Sequence, residues 1–144
     1  MAFEPLAIIT NEAKRRTSEM WISGKSFQVK YFSVSAGGHD PTDPTVAIAP
    51  DPASTSMPGT PFFGPEPIDD YEITTDFCPK FICRIEENEV SGSVSSVGLF
   101  GEIVCNPHDP LDPEIGTTFL FAVYNRPLLI LAGDAVQFEI DVFM

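Results

Sequence analysis

The sequence is poor in the residues from which most chemical sites are built. Its 144 residues include two histidines, three cysteines and one tryptophan. It contains no P-loop, GxGxxG, GxSxG or HExxH motif, so we expect no enzymatic activity. Basic residues are also few, and eight of them against 21 acidic residues give a net charge of −13. Because phosphate contacts need a basic surface, this charge argues against nucleic acid and anionic lipid as partners.

Long hydrophobic runs are absent as well. The mean hydropathy is +0.05, and the apolar stretches are far shorter than the ~20 residues of a membrane span. The first eleven residues lack a basic segment followed by an apolar one, so we expect neither a secretory signal nor a transmembrane helix. Without that signal the cysteines are expected to be reduced, with Cys83 and Cys105 as small core residues.

What the sequence does contain predicts a β-rich domain with one short helix. Thr10 or Asn11 can cap a helix that ends at Gly24, with Ala13, Met20 and Trp21 on its buried side. Short apolar strands separated by turns follow. We predict a single domain over 1–144 of the α+β, mainly β class, folded as an antiparallel sandwich or open barrel. It would consist of a helix at about 11–22, a proline-rich arm at about 39–67 and a β-rich body at about 68–144.

Three local patterns refine the strands. The apolar parity switches at Phe32, which suggests a bulge or burial on both faces. Gly98 and Gly101 interrupt an apolar strand, which implies close backbone approach or a kink. Arg126 and Pro127 are expected to form a turn between two strands.

The proline-rich arm is expected to bind neighbouring subunits. Eight prolines in 39–67 exclude a central strand, and a long connection of this kind is typically functional. Apolar residues along it would anchor it to a neighbour. They are Val46, Ile48, Met57, Phe62 and Phe63.

The helix carries a second candidate docking surface. Residues 1–30 have a net charge of +2 and residues 31–144 one of −15. Lys14, Arg15 and Arg16 would orient docking onto an acidic partner. The alternative is a solvated helix face.

The two histidines lie in similar HDPxDP peptides, which begin at His39 and at His108. Imidazole and carboxylate together suit Zn, Mn or Ni, so His39, Asp40, His108 and Asp109 are a candidate divalent metal site. No other cofactor is expected. The alternative is that each Asp-Pro pair simply starts a turn.

Two acidic clusters resemble paired catalytic carboxylates, but we interpret them as solvated charges at strand edges that block unwanted pairing. They are Asp69, Asp70 and Glu72, and Glu86, Glu87 and Glu89.

The order of several segments resembles the N-terminal domain of phage tail-collar fibre proteins, which fastens a fibre to the tail or baseplate. The segments run from Ile9-Thr10-Asn11 through the strand 27–34, Val97-Gly98-Leu99-Phe100 and Phe121-Ala122-Val123-Tyr124 to Arg126-Pro127-Leu128. The resemblance covers roughly residues 8–143 and implies a mixed α/β fold without catalytic residues. HDPxDP and the length of the proline-rich segment depart from the pattern, and we expect no fibre shaft after Met144.

These features predict a viral structural protein, a tail or baseplate adaptor that docks fibres or neighbouring subunits. It would form a homo-oligomer in a symmetric ring, be assembled in the host cytoplasm and reside in the virion. The alternative is a carbohydrate- or ligand-binding β-sandwich module, with sugars stacked on aromatic rings. The candidate rings are Trp21, Tyr31, Tyr71 and Tyr124.

Overall fold

A computed structural model describes residues 7–73 and 78–142. Within these ranges the fold is mainly β, with antiparallel sheets and one helix, as the sequence predicts. The helix α1 covers Asn11–Ser23. The strands are β1 (Ile8–Ile9), β2 (Ser26–Ser35), β3 (His39–Asp40), β4 (Asp43–Ala47), β5 (Phe63–Pro67), β6 (Asp70–Ile73), β7 (Pro79–Ile85), β8 (Ser91–Cys105), β9 (Thr118–Ala132) and β10 (Val136–Asp141).

The helix begins and ends where its capping residues predict. The Thr10 hydroxyl accepts a hydrogen bond from the backbone of Ala13, and Gly24 ends the helix with φ 77°. Ala13 is fully buried, but Trp21 is 80% exposed. The prediction for Trp21 is wrong because eight residues advance the helix about 80° beyond whole turns, which carries this side chain off the packed face.

Two sheets enclose the main core. One has the order β1-β9-β8-β2-β5, the other β10-β7-β6, and β3 pairs with β4 in a separate hairpin. Phe32, Val97 and Leu99 from the larger sheet lie in one cluster with Cys83 and Ile140 from the smaller. The sheets are connected along one side by a parallel bridge between Ala7 and Val142. Among the described residues, no helix is long and apolar enough to span a membrane.

Register irregularities explain the patterns around Phe32 and Pro127. The β2–β8 pairing shifts between Val29 and Tyr31, which confirms the predicted bulge. The predicted turn at Arg126 and Pro127 is wrong, because both lie inside β9. At this point β9 advances by four residues, from Asn125 to Leu129, while the paired strand β8 advances by two. Pro127 therefore lies in a bulge, where no sheet hydrogen bond needs the N–H that proline lacks.

The segment 39–67 is not a free arm. It contains β3, β4 and β5, and β5 is the edge strand of the larger sheet, where proline is tolerated. Met57 packs with Leu120 and Val123 in a second apolar cluster on the outer face of this sheet. A Cβ on Gly98 would lie 2.8 Å from the Met57 Cγ and Sδ atoms, so the group that approaches this glycine is a side chain and not the predicted backbone.

Candidate functional site

The predicted anchors of the proline-rich segment separate into two groups. Met57 is 7% exposed, and Phe63 packs its ring 6.1 Å from that of Phe32 in the main core. These two residues stabilise the chain itself, so their predicted role as surface anchors is wrong. Val46, Ile48 and Phe62 are 46%, 41% and 47% exposed and stay candidates for docking.

The basic face of α1 is mostly engaged within the chain. Arg16 is 9% exposed and donates to Glu12 at 2.9 Å and to Glu114 at 2.6 Å. Arg15 donates to Glu12 at 2.8 Å. The prediction that Arg16 meets a partner is therefore wrong, because its guanidinium already joins the helix to the loop before β9. Lys14 is exposed.

A compact ion-pair network fixes this loop, the 106–117 segment. Lys25 Nζ lies 2.7 Å from both the Asp112 and the Glu114 carboxylates. Hydrogen bonds from Lys25 and from the Glu114 backbone hold the pKa of Asp112 well below its usual range. Hydrogen bonds from Arg16 and Lys25 lower the pKa of Glu114 to about 2. This network holds the second HDPxDP peptide against the end of α1.

The HDPxDP peptides form turns. Asp40 accepts from the Thr42 backbone at 2.9 Å, and Asp109 accepts from the Leu111 backbone at 3.1 Å. Within residues 7–73 and 78–142, no group of three or more His, Cys, Asp or Glu side chains is placed to hold a metal ion. The candidate metal site at His39, Asp40, His108 and Asp109 is therefore wrong, because each aspartate folds onto its own backbone.

His39 instead contacts a serine, in an arrangement that superficially resembles an activated nucleophile. Its Nδ1 lies 2.8 Å from Ser95 Oγ, which also accepts from the Gly38 backbone at 2.8 Å. Ser95 is fully buried, and a Cβ on Gly38 would lie 2.1 Å from its carbonyl oxygen. No substrate carbonyl can reach the hydroxyl through this packing, so the contact holds the β3–β4 hairpin on β8.

Both acidic clusters are exposed, but only the first lies at the edge of a sheet, as interpreted from the sequence. Glu86, Glu87 and Glu89 lie in the turn between β7 and β8, so the strand-edge interpretation is wrong for them. On β6, the edge strand of the smaller sheet, Asp70 accepts from the Tyr71 backbone at 2.8 Å. Asp69 accepts from the Arg84 backbone, and Glu89 from the Glu86 backbone. These three carboxylates each accept a hydrogen bond from a backbone N–H group, which gives them a role in the fold.

The cysteines differ in accessibility. Cys83 is fully buried in the main core, as predicted, and its burial raises the pKa of the thiol to about 12. Cys78 is also buried. Cys105 is exposed, so its predicted core position is wrong. It is the last residue of β8, opposite a register shift between Ser26 and Phe27.

Large apolar side chains are left open at the end of α1. Trp21 is 80% exposed and Ile22 is 87% exposed. Lys14 lies about 20° from Trp21 around the helix axis, since seven residues make almost two turns. Lys14 and Trp21 therefore lie on the same side of the helix about two turns apart, and Ile22 follows Trp21 in the chain. These three exposed residues, an exposed cation and two apolar side chains, are here called the α1 surface. Further exposed apolar side chains are scattered over other elements at Tyr71, Ile73, Leu111 and Ile130.

A cleft of about 530 Å³ opens on the outer face of the larger sheet. It lies beside the Met57 cluster, with which it shares Phe100. Lys30 Nζ donates to Glu102 Oε2 at 2.6 Å, and this hydrogen bond raises the pKa of Lys30. Tyr31 Oη donates to the other Glu102 oxygen at 3.4 Å. The lining residues are Tyr31, Ser33, Pro61, Gly64, Pro65, Phe100, Glu102 and Thr118.

Of these lining residues, sequence reasoning identified only Tyr31 as a candidate ligand-binding residue. Tyr31 and Phe100 are direct cross-strand partners, as are Glu102 and Thr118. Because side chains alternate along a strand, the sequence of β8 is enough to predict that Phe100 and Glu102 share a face. Which residues of β2 and β9 lie opposite depends on bulges that the alternation does not reveal.

No protein-family model, curated protein or solved structure matches this chain. The likeness to tail-collar fibre proteins therefore rests on the residue order alone.

Proposed function

We propose that this chain is a structural component of a phage tail or baseplate, an adaptor that docks fibres or neighbouring subunits. The resemblance of its segment order to the tail-collar fibre domain supports a location in a phage tail or baseplate. The α1 surface carries the docking role, because Trp21 and Ile22 leave most of their apolar area in water. Tryptophan is among the residues that contribute most to protein–protein binding when a partner covers it.

The charge distribution favours particular neighbours. Arg15, Arg16, Lys25 and Lys30 are all paired inside the chain. The partner is therefore expected to meet one exposed cation, Lys14, on the α1 surface and acidic side chains elsewhere. In a homo-oligomeric ring, the α1 surface of one copy would meet an acidic, partly apolar surface of the next, a heterologous contact that closes by rotation.

The assembly role is tested by complementation of a phage that lacks the gene. Wild-type chain should be recovered in purified virions by mass spectrometry. A Trp21→Ala/Ile22→Ala double variant should fold, as its circular dichroism would show, but be depleted from the particles. Ile130→Ser is the matched control, since it removes another exposed apolar side chain on β9.

Two outcomes would contradict the proposal. Absence of the wild-type chain from virions would remove the virion role altogether. Full incorporation of the double variant would remove the α1 surface from the interface. Because Trp21 is the single tryptophan and is exposed, a blue shift of its fluorescence on mixing with a partner subunit would report the contact directly.

A further inference from the structure

We infer that the cleft on the outer face of the larger sheet binds a neutral saccharide. This inference is independent of the adaptor role, because it uses none of the α1 surface. It rests on three features of the cleft, which are an aromatic floor, a charge-neutral polar wall and rigid proline sides.

The floor is a cross-strand aromatic pair. Tyr31 on β2 lies directly opposite Phe100 on β8, and both are partly exposed in the cleft. Directly opposed residues of an antiparallel pair have Cβ atoms about 5 Å apart, so the two aromatic residues are neighbours on the floor of the cleft. The C–H face of a sugar ring is an apolar surface of matching shape.

The polar wall offers donors and acceptors without net charge. Glu102 lines the cleft and is 18% exposed at the side chain. Lys30 is not a lining residue, but its Nζ lies 2.6 Å from the Glu102 carboxylate and compensates its charge. A charged ligand gains little here, because each charge is already compensated by its neighbour. A sugar hydroxyl can donate to the Glu102 carboxylate, and the Thr118 hydroxyl, opposite Glu102, adds a donor and a further acceptor.

Two further observations narrow the ligand. The net charge of −13 repels anionic sugars. The volume of about 530 Å³ falls inside the range of small-molecule sites, about 300–1,000 Å³. Pro65 in β5 and Pro61 just before this strand line one side of the cleft, and their fixed φ angles reduce the ordering cost of binding.

The test is an NMR titration of the full chain with neutral mono- and oligosaccharides of glucose, galactose, mannose and N-acetylglucosamine. At least one should give saturable shifts at the amides of Tyr31, Phe100, Glu102 and Thr118. Tyr31→Ala should weaken that binding about tenfold, the loss expected from one stacked ring plus its hydroxyl. Tyr71→Ala, which removes an exposed ring from β6 in the other sheet, should leave the affinity within about twofold.

Two more conservative substitutions still test the inference if the Tyr31→Ala variant does not fold. Tyr31→Phe and Glu102→Gln retain side-chain volume and should each weaken binding about three- to tenfold. The inference is overturned if no neutral sugar binds, if binding survives all three cleft variants, or if only charged sugars bind. It is also overturned if a proline-rich peptide, and no sugar, shifts the same amides.

Discussion

At the scale of single residues, hydrogen-bond partners decided which side chains serve the fold. Thr10 is 1% exposed, and its hydroxyl both accepts from the Ala13 backbone at 3.1 Å and donates to the Leu120 carbonyl at 2.7 Å. One hydroxyl thus starts α1 and joins it to β9. The sequence predicts the first bond from the capping preference, but the second joins residues 110 positions apart and follows only from packing.

Replacement of Thr10 should therefore be costly. Thr10→Val keeps the shape but loses both bonds, and we expect the free energy of unfolding to fall by about 2 kcal/mol, one for the cap and one for the buried carbonyl. Urea denaturation measures the loss. Thr10→Ser retains the hydroxyl and should lose much less. Equal losses in the two variants would show that the methyl group, and not the hydrogen bonds, stabilises this position.

At the scale of elements, contacts between residues distant in sequence make the proline-rich segment 39–67 part of the fold and not a free arm. Phe62 donates its backbone N–H to Val34 at 3.1 Å, and Asn11 donates to Pro52 at 2.7 Å. The segment is therefore attached to β2, to the start of α1 and, through Met57, to the outer face of the sheet.

Shortening the Met57 side chain should destabilise the whole chain. Met57→Ala removes a buried side chain from the outer cluster and should lower the free energy of unfolding by about 2 kcal/mol, measured by urea denaturation. Met57→Leu, which conserves volume, should cost less than about 1.5 kcal/mol. An unchanged stability of Met57→Ala would mean that the segment leaves the sheet in solution and would revive the free-arm prediction.

The network between α1 and the 106–117 loop should make the chain acid-sensitive. The folded pKa values of Asp112 and Glu114 are depressed below their ordinary values of 3.8 and 4.5. Their contribution to stability is therefore complete above about pH 5 and is lost as the pH falls through the folded values, near 2 for Glu114.

Thermal melts between pH 6 and pH 2.5 measure this loss. Glu114→Gln should reduce the slope of melting temperature against pH below pH 5. Glu87→Gln is the control, since it removes an exposed carboxylate for which the described residues show no ion pair. Identical slopes for Glu114→Gln and the parent chain would show that the network adds no pH-dependent stability.

At the scale of the whole molecule, stability is expected to be uneven. β8 has a strand on each side and carries buried residues from Val94 to Leu99. β6 is an edge strand, and all four of its residues are exposed. Local opening should therefore need little free energy at β6 and close to the global value at β8.

Hydrogen exchange followed by mass spectrometry tests this distribution. Peptides covering the middle of β8 and of β9 should exchange slowest, and those covering β6 fastest. Strong protection of β6 in the isolated chain would contradict the edge assignment, since it would require a further strand against β6.

The sequence by itself determined the elements whose signals are local. The helix over Asn11–Ser23 follows from a capping threonine and a terminal glycine, the β class follows from period-two alternation, and the turns of the HDPxDP peptides follow from the Asp-Pro pairs. Tertiary structure alone decided what depends on distant partners. It covered Met57 and Arg16, exposed Trp21, and brought Tyr31, Phe100 and Glu102 to one cleft, because bulges and long-range register set which side chains share a face.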